Sequence, residues 1–329
     1  MFNDSTILIT GGTGSWGQTL TRLLLEEYQP KKIIIYSRGE LAQVMMKRKF
    51  GQKRSQIQYV IGDVRDYEAL ERATKGVDYI FHLAALKHVP ICEENVQEAI
   101  KTNIHGTTNI VNAALANNVK KVIDVSTDKA VDPINLYGMT KAVGEKTIIQ
   151  ANDLGDTTFV CIRGGNVMGS NGSVIPYFIE QIKEGGPITI TDKRMTRFFL
   201  TLEEAIRLLF KASENSVGGE TFVMNMPACR IDMLANVLMC HYGEVDVVET
   251  GIRQGEKLHE MLISPHDAPR SYCYDDNYFV TLEGSTDWPN GRYSNYNGLE
   301  SFPYPEFSSE TKLMDYDQIE EMLRKGDFI

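Results

Sequence analysis

The chain has 329 residues, of which 42% are hydrophobic and 24% are charged, a composition typical of a folded globular protein with one large core. Its formal net charge of −10 argues against nucleic acid as a partner, because neutralising a phosphate backbone requires clustered lysine and arginine. The five cysteines are scattered, and no uncharged apolar run approaches the roughly 20 residues that cross a bilayer, so we expect a cytoplasmic protein without disulfides, metal site, signal peptide or membrane partner.

In the first half of the chain, short apolar runs rich in β-branched residues alternate with longer amphipathic stretches. The apolar runs predict strands at residues 6–10, 32–36, 57–61, 79–83, 121–125 and 158–162. The amphipathic stretches predict helices at residues 17–28, 67–75, 96–117 and 137–152. This alternation indicates βαβ units, and right-handed crossovers then give an α/β fold with a doubly wound parallel sheet, the Rossmann architecture.

The character of the sequence changes after Arg163, where Gly, Asn, Pro and aromatic residues become denser. Helices are predicted there at residues 202–214, 231–242 and 316–325, separated by extended pieces. We therefore predict a dinucleotide-binding domain over residues 1–164 and a smaller α/β substrate domain over residues 165–329. Some segments of the second domain are expected to return to the first.

A glycine-rich turn follows the first predicted strand and opens the first helix. Gly11 permits the tight turn, Gly14 lets the backbone approach a pyrophosphate, and Gly17 lets helix and strand pack closely. The helix N-terminus adds N–H donors and the positive end of its dipole. The cofactor contacts predicted in this turn are Gly11, Thr13, Gly14, Ser15, Trp16 and Gly17.

The end of the second predicted strand bears on the choice between NADP and NAD. An NAD-binding fold normally places an acidic residue there, whereas this chain has Ser37 and Arg38, a hydroxyl and a cation suited to a 2′-phosphate. We therefore predict NADP; in the alternative, Arg38 is a solvated charge and Glu40 binds the ribose of NAD. Further cofactor contacts are predicted at the ends of the third and fourth strands, at Asp63, Val64, Leu83, Ala84 and Ala85.

A candidate reaction centre follows the fifth strand. Tyr137 and Lys141 lie four residues apart on a predicted helix and share a face, so the ammonium would lower the pKa of the phenol and make it a usable base. Thr127 supplies a hydroxyl upstream, and both Tyr137 and Lys141 would also contact the cofactor. Asp128 and Lys129 add an acid and an amine where ligands bind in this fold; in the alternative they are an exposed ion pair.

Segments spread over most of the chain resemble those of a known family. They are Ile9-Thr10-Gly11-Gly12-Thr13-Gly14-Ser15, Tyr36-Ser37-Arg38, Ala84-Ala85-Leu86-Lys87-His88-Val89-Pro90, Ser126-Thr127-Asp128-Lys129-Ala130, Asp132-Pro133-Ile134-Asn135-Leu136-Tyr137-Gly138, Gly172-Ser173-Val174-Ile175-Pro176, Met195-Thr196-Arg197-Phe198 and Gly255-Glu256-Lys257-Leu258-His259-Glu260. The chain thereby resembles the UDP-N-acetylglucosamine 4,6-dehydratases of the extended short-chain dehydrogenase/reductase class, of the capsular-polysaccharide and pseudaminic-acid type. The Ser-Thr-Asp-Lys-Ala segment discriminates best, because the similar dTDP-glucose dehydratases carry Asp-Glu in place of Asp128-Lys129.

The resemblance implies an internal redox cycle on UDP-N-acetylglucosamine. Tyr137, supported by Lys141 and Thr127, would take the C4 hydroxyl proton while hydride passes from C4 to NADP. Lys129 in its neutral form would remove the C5 proton, and Asp128 in its protonated form would donate to the departing C6 hydroxyl. Return of hydride to C6 then gives a UDP-4-keto-6-deoxy sugar, and the intact Tyr137 resembles the branch that inverts C5.

The resemblance also implies a set of substrate contacts. They are Asn166 and Arg253 at the diphosphate, Glu256 at the uridine ribose, and Val174 and Thr191 at the uracil, and Arg197 is a second phosphate candidate. Independently of the resemblance, Lys87 and His88 follow the fourth strand and are expected to line the sugar pocket; in the alternative, His88 is a surface residue. In the alternative, Arg253 and Glu256 are only a surface ion pair. The resemblance further suggests a homo-oligomer, either a dimer or a hexamer.

Some positions depart from the family pattern, and two other functions stay open. The chain reads Arg163-Gly164-Gly165-Asn166 where a Tyr often precedes the Gly-Asn step, which leaves more room near the sugar. Ala42 replaces a frequent Lys, which counts against NADP, and Met139 replaces a small residue. A UDP-sugar 4-epimerase or reductase would need only the Tyr, Lys and hydroxyl set, and a non-catalytic nucleotide-binding scaffold would need none of it.

Overall fold

The computed structural model describes residues 1–51, 55–169, 173–284 and 291–329, so Gly172 of the family-like segments lies outside the described residues. The first half contains β1 Thr6–Thr10, α1 Ser15–Glu27, β2 Lys32–Ser37, α2 Glu40–Phe50, β3 Ile57–Ile61, α3 Tyr67–Ala73, β4 Tyr79–His82, α4 Val89–Glu94, α5 Val96–Ile100, α6 Gly106–Ala116, β5 Lys121–Thr127, α7 Leu136–Gln150 and β6 Thr158–Gly164. The second half contains β7 Asn166–Val167, α8 Val174–Lys183, β8 Ile188–Ile190, β9 Thr196–Leu200, α9 Leu202–Asn215, β10 Glu220–Met224, β11 Ala228–Arg230, α10 Ile231–Tyr242, β12 Val247–Glu249, β13 Met261–Ile263, β14 Ser271–Asp275, β15 Tyr278–Leu282, β16 Phe307–Ser308 and α11 Tyr316–Lys325.

Among the described residues, nine strands form the main sheet in the order β14-β15-β10-β6-β5-β4-β1-β2-β3. Strands β1 to β6 and β10 pair in parallel, whereas β15 and β14 are added antiparallel at one edge. From β1 the sheet is built outward in two directions, through β2 and β3 on one side and through β4, β5 and β6 on the other. This change of direction at β1 and β4 opens a crevice at the carboxyl ends of these strands. The predicted α/β fold with a doubly wound parallel sheet is confirmed.

The central strands are buried on both faces because helices cover each side of the sheet. Ile7, Ile9 and Phe81 belong to one apolar cluster with residues of α1 and α9. The intervening residues Leu8 and Ile80 belong to a second cluster, with residues of α3, α6 and α7. Successive residues of a strand point to opposite faces, so the continuous apolar runs of the sequence supply both layers.

The second half contributes to two bodies of structure. Its strands β10, β14 and β15 extend the main sheet. The remainder builds a three-stranded sheet β11-β9-β7 and two strand pairs, β12-β8 and β13-β16, with α8, α10 and α11 packed on a separate apolar cluster. The division of domains at residues 164 and 165 stays a prediction.

Several element bounds differ from those predicted. The single helix expected over residues 96–117 is divided into α5 and α6 by a π-helical turn, Lys101–His105. Helices α2 and α4 had not been predicted; α2 buries only Gln43 and Met46, so its sequence carries little apolar periodicity. Within the described ranges, no helix has both the length and the apolar composition that crossing a membrane requires.

Candidate active site

A cavity of about 990 Å³ lies at the carboxyl ends of the parallel strands, between the main sheet and the second half of the chain. The predicted cofactor residues that line it are Gly11, Thr13, Gly14, Ser15, Trp16, Ser37, Arg38, Asp63, Val64, Leu83, Ala84, Ala85 and Tyr137. The predicted substrate and catalytic residues that line it are Lys87, His88, Asn166, Val174, Arg197, Arg253, Glu256, Thr127 and Lys129. The lining, taken over the described residues, leaves out Gly17, Asp128, Lys141 and Thr191.

The glycine-rich turn has the geometry of a pyrophosphate cradle. Gly11 has a φ of +64°, and a Cβ there would lie 3.0 Å from the backbone of Ala84. A Cβ on Gly17 would lie 2.4 Å from the Gly12 carbonyl oxygen, so this glycine serves packing rather than lining. Gly14 precedes α1 with extended backbone and no capping side-chain hydrogen bond from the described residues. The first turn of α1 therefore presents its N–H groups to an anionic ligand.

The end of β2 presents a hydroxyl and a cation to the same cavity. Gln43 Nε2 donates to Ser37 Oγ over 3.1 Å, so the hydroxyl hydrogen can be donated to a ligand. The Arg38 side chain is 54% exposed, so its guanidinium can reach a phosphate in the cavity. Its NH1 also lies 4.0 Å from Asp63 Oδ2. Burial opposes the charge on Asp63, but hydrogen bonds from Arg65 outweigh it and lower the pKa of that carboxyl. These residues fit an adenosine 2′-phosphate.

Tyr137 and Lys141 lie on one face of α7, and only Tyr137 reaches the cavity. The Lys141 ammonium is buried behind it, 3.2 Å from Asp124 Oδ2 on β5. Burial disfavours the Lys141 charge, but Asp124 outweighs burial and raises the pKa of Lys141. Sequence reasoning missed Asp124, although a carboxylate within the apolar run Lys121–Thr127 was a signal for it.

The expected lowering of the Tyr137 pKa is wrong. Burial raises the pKa of the phenol, and the charges of Lys141 and Lys129, with a hydrogen bond between the phenol and Thr127, only partly oppose this effect. The phenol is therefore protonated at neutral pH. Its two cationic neighbours still make ionisation easier than burial alone would allow.

Lys129 lies between two carboxylates. Its Nζ is 3.0 Å from Asp128 Oδ1 and 3.4 Å from Glu260 Oε1, while Thr127 Oγ1 also donates to Asp128 Oδ1 over 2.8 Å. Burial disfavours the ammonium, but Asp128 and Glu260 outweigh it and raise the pKa of Lys129. The neutral amine that the implied mechanism needs is therefore not the resting form, because the two carboxylates hold a proton on it.

Asp128 had been expected to face the sugar from the cavity wall. It is instead fully buried behind Lys129, and its Oδ2 has no hydrogen-bond partner among the described residues. The carboxylate that lines the cavity beside Lys129 is Glu260, which sequence reasoning did not select. Its position at the end of the Gly255–Glu260 segment was the only signal for it.

The side chains predicted to contact the nucleotide differ in their exposure and in the hydrogen bonds that they already make within the protein. Arg253 is 65% exposed and lies 3.9 Å from Glu256 Oε1, while the buried Oε2 of Glu256 has no partner among the described residues. Arg197 lines the cavity, but its NH1 and NH2 donate to the backbone carbonyls of Thr196, Leu258 and Lys257. Arg197 therefore supports the 257–260 segment, and a phosphate role for it has less support than one for Arg253.

Lys87 lines the same cavity, close to Lys129. Burial, with a contribution from Lys129, lowers the pKa of Lys87, so its charge in the cavity is poorly compensated and suits an anionic ligand.

No cluster of three or more His, Cys, Asp or Glu side chains that could hold a metal ion occurs in the described part of the chain.

The Rossmann sheet, the glycine cradle and the Tyr137–Lys141 pair define a protein of the extended short-chain dehydrogenase/reductase class. Within that class, the chain belongs to the polysaccharide biosynthesis protein family, whose model matches residues 7–282. The family resemblance drawn from the sequence motifs is thereby confirmed.

Individual relatives agree with this family. The chain is 47% identical over 285 residues to the UDP-N-acetylglucosamine 4,6-dehydratase (inverting) of Campylobacter jejuni, covering 85% of this chain and 84% of that protein. It is 40% identical over 337 residues to the UDP-glucose 4-epimerase of Rickettsia typhi, covering 100% and 98%. Among solved structures, Pen from Bacillus thuringiensis matches with a TM-score of 0.91 and 35% identity, over 100% of this chain and 99% of that one.

Proposed function

We propose that the protein is a UDP-N-acetylglucosamine 4,6-dehydratase that inverts C5. The observation that carries this proposal is the contact between Asp128 and Lys129 directly beside the Tyr137 phenol, at the wall of a cavity with a dinucleotide cradle. Oxidation at C4 alone needs a phenol base, whereas loss of water across C5 and C6 also needs a base and an acid. The name of the Campylobacter jejuni relative supports the same reaction.

We propose NADP as the cofactor, on the strength of Ser37 and Arg38 at the end of β2. The glycine cradle would hold its pyrophosphate. Lys141 is buried behind Tyr137 and does not line the cavity, so it would act on the reaction through the Tyr137 phenol. A bound nicotinamide would supply the redox chemistry, as acceptor of the hydride from C4 of the sugar and donor of the hydride to C6. NAD is the alternative; in that case Arg38 would be a solvated charge and Glu40 would bind the ribose.

The residues of the chain supply the proton transfers. Tyr137 takes the proton of the C4 hydroxyl, and the nearby ammonium of Lys141 stabilises the phenolate form. Lys129 passes one proton to Asp128 along their 3.0 Å contact, which turns the resting ion pair into a neutral amine and a neutral acid. This transfer requires no net uptake of protons.

Elimination then uses that pair. The Lys129 amine takes the C5 proton, and the C5–H electrons form the C5=C6 double bond. The C6–O bond breaks as Thr127, whose hydroxyl lines the cavity, protonates the departing hydroxyl and takes the proton of the buried Asp128 acid along their 2.8 Å hydrogen bond. Lys129 is again an ammonium and Asp128 again a carboxylate. Hydride addition at C6 and proton return at C5 complete a UDP-4-keto-6-deoxy-N-acetylhexosamine.

A second candidate is a UDP-sugar 4-epimerase, because the Rickettsia typhi relative carries that name. Epimerisation would use Tyr137 and Lys141 and would leave Asp128 and Lys129 without a task in the reaction. That difference favours the dehydratase. Homo-oligomer formation and a cytoplasmic location stay predictions.

The test is incubation of the purified protein with UDP-N-acetylglucosamine in D₂O, followed by mass spectrometry and NMR. A product lighter by one water, with deuterium at C5 and inverted configuration there, is expected. A product in which only C4 is inverted would replace the dehydratase by the epimerase. Absence of turnover with any UDP-sugar would leave a nucleotide-binding scaffold.

A further inference from the structure

Glu260 is a buried carboxylate at the wall of the cavity, immediately before β13. Its side chain is 4% exposed, and Oε1 lies 3.4 Å from Lys129 Nζ and 3.8 Å from Arg197 Nε. Its other oxygen, Oε2, is buried and has no hydrogen-bond partner among the described residues. A buried carboxylate is costly unless it is paired, and here Lys129 and Arg197 supply that pairing.

The position of Glu260 is fixed from two sides. Its backbone N–H donates to Ser309 Oγ over 2.9 Å, and its carbonyl accepts from the Ser309 N–H over 2.8 Å. Arg197, held by the Leu258 and Lys257 carbonyls, holds the segment that leads to Glu260. The carboxylate is therefore preorganised relative to Lys129 rather than recruited by it.

The charged and titratable groups around Lys129 come from several elements. They are the carboxylates of Asp128 and Glu260, the cations of Arg197, Lys87 and Lys257, and the phenol of Tyr137. Three cations would make an ammonium at this position unfavourable if Asp128 were its only anionic partner. During elimination Asp128 is protonated, so Glu260 is then the one carboxylate of this group that stays charged beside the amine.

We propose that Glu260 is a positioning residue for the C5 base, which holds the Lys129 amine at the cavity wall and keeps it basic while Asp128 carries the transferred proton. The inference rests on the proposed dehydration and adds a second carboxyl group, beside that of Asp128, to its acid–base centre. Glu260 gains and loses no proton; the proton moves from Lys129 to Asp128 and from C5 to Lys129. When the amine becomes an ammonium again, the Glu260 carboxylate stabilises the charge that forms.

The experiment uses Glu260→Gln, which keeps the size of the side chain and removes its charge. Turnover should fall by roughly 10²-fold, the lower end of what general acid–base groups contribute, whereas KM should change little. The alkaline limb of the kcat profile should move to lower pH by about one unit or more, because Lys129 loses a neighbouring anion. Transient reduction of the nicotinamide should persist while deuterium entry at C5 is suppressed.

Two further variants separate this role from a structural one. Glu260→Asp keeps the charge but withdraws it from Lys129, so its rate and its alkaline limb should fall between those of the wild type and the Gln variant. If Glu260→Gln does not fold, the Asp variant decides alone, by a shift in the same direction. Glu310→Gln is the matched control, since Glu310 is an exposed carboxylate paired with His259 and should leave rate and profile unchanged.

The outcomes distinguish the two proposals. A wild-type protein that eliminates water but is matched by both Glu260 variants in rate and pH profile would overturn the Glu260 role alone. A variant that loses affinity for UDP-N-acetylglucosamine at unchanged kcat would also overturn it, in favour of a binding role. A wild-type protein that incorporates no deuterium at C5 would remove the dehydration and, with it, the task assigned to Glu260.

Discussion

Asn135 Nδ2 donates to the Gly255 carbonyl over 2.8 Å and thereby joins the start of α7 to the turn that carries Arg253 and Glu256. The same side chain caps the helix, because its Oδ1 accepts from the Gly138 N–H over 2.8 Å. Gly255 has a φ of +80°, and a Cβ there would lie 3.1 Å from Asn135 Cβ. One amide thus couples the helix of Tyr137 to the proposed nucleotide end of the cavity.

Asn135→Ala should therefore impair both stability and substrate binding. Loss of the cap should lower the free energy of unfolding by about 1 kcal/mol, and loosening of the turn should raise KM for the UDP-sugar. Denaturant unfolding and steady-state kinetics measure the two effects. Asp315→Ala removes the cap of α11 and should lower stability without changing KM. An Asn135 variant with unchanged KM would show that the turn keeps its position without this bond.

The elements of the sheet and the glycine turn could be predicted because their patterns are local. The runs at Thr6–Thr10 and Ile57–Ile61 match the predicted strands residue for residue, since both are bounded by turn residues. Helix α2 was harder to predict, because the apolar residues Leu41 and Met45 lie on its exposed face. Its sequence therefore lacks the regular separation of apolar and polar faces that identifies an amphipathic helix.

The candidate site was predictable only where its residues are neighbours in sequence. Tyr137 and Lys141 follow from helical spacing, but Glu260 approaches Lys129 only through packing of the segment before β13 against the end of β5. Asp124 could be noticed as a carboxylate in a buried strand, yet its partner Lys141 depends on how α7 packs on β5. Ionisation of these groups depends on burial, which the sequence does not specify.

Arg253→Ala should act on binding. Its exposed guanidinium is proposed to meet the diphosphate, and loss of a charged hydrogen bond is expected to raise KM about 10-fold or more with little change in kcat. Steady-state kinetics with UDP-N-acetylglucosamine measures both constants. Arg194→Ala removes a cation of similar exposure that is paired with Asp192, and KM should stay unchanged. A selective loss of kcat in Arg253→Ala would contradict nucleotide anchoring.

Lys129→Met should stop elimination while the first step survives. The variant keeps a long side chain but has no amine to take the C5 proton, so reduced nicotinamide should accumulate and deuterium should not enter C5. Absorbance and NMR follow these two events, and calorimetry should find the affinity for UDP unchanged. Lys146→Met, at an exposed lysine paired with Glu283, serves as control. Normal water loss in Lys129→Met would exclude this residue as the base.

Asp124→Asn should destabilise the protein through Lys141. It leaves a fully buried ammonium without its carboxylate, a change that typically costs about 3–5 kcal/mol at neutral pH. The folded-state pKa of Lys141 is raised in the wild type and should fall in the variant. The loss should therefore shrink as pH rises from about 8 to about 10, where the variant can bury a neutral amine.

Denaturant unfolding across that pH range measures the difference. Glu26→Gln is the control, because it breaks an exposed ion pair with Arg22 in α1. It should lower the free energy of unfolding by about 0.5 kcal/mol at most at any of these pH values. A loss in Asp124→Asn that is small and independent of pH would mean that Lys141 does not depend on this carboxylate for its charge.

His82 should make the fold sensitive to mild acid. It is fully buried, and burial lowers the pKa of its imidazole to about 4. Thr10 Oγ1 accepts from the Leu83 and Ala84 N–H groups, so its hydrogen is donated to His82 Nδ1 over 2.8 Å. The other nitrogen, Nε2, then donates to Thr107 Oγ1 over 3.2 Å. The hydrogen bond at Nδ1 requires the neutral ring, because a protonated Nδ1 cannot accept.

The sign of the effect follows from proton binding. Between about pH 6.5 and 4 the unfolded chain binds a proton at His82 that the folded protein does not, so the stabilising contribution is complete above that window and is lost as pH falls through it. The shift corresponds to about 3 kcal/mol. In His82→Gln this part of the pH dependence of unfolding should disappear, whereas His266→Gln, at an exposed histidine, should retain it. Glutamine takes up no proton at this position. If His82→Gln kept the full pH dependence of unfolding, that dependence would therefore come from other groups.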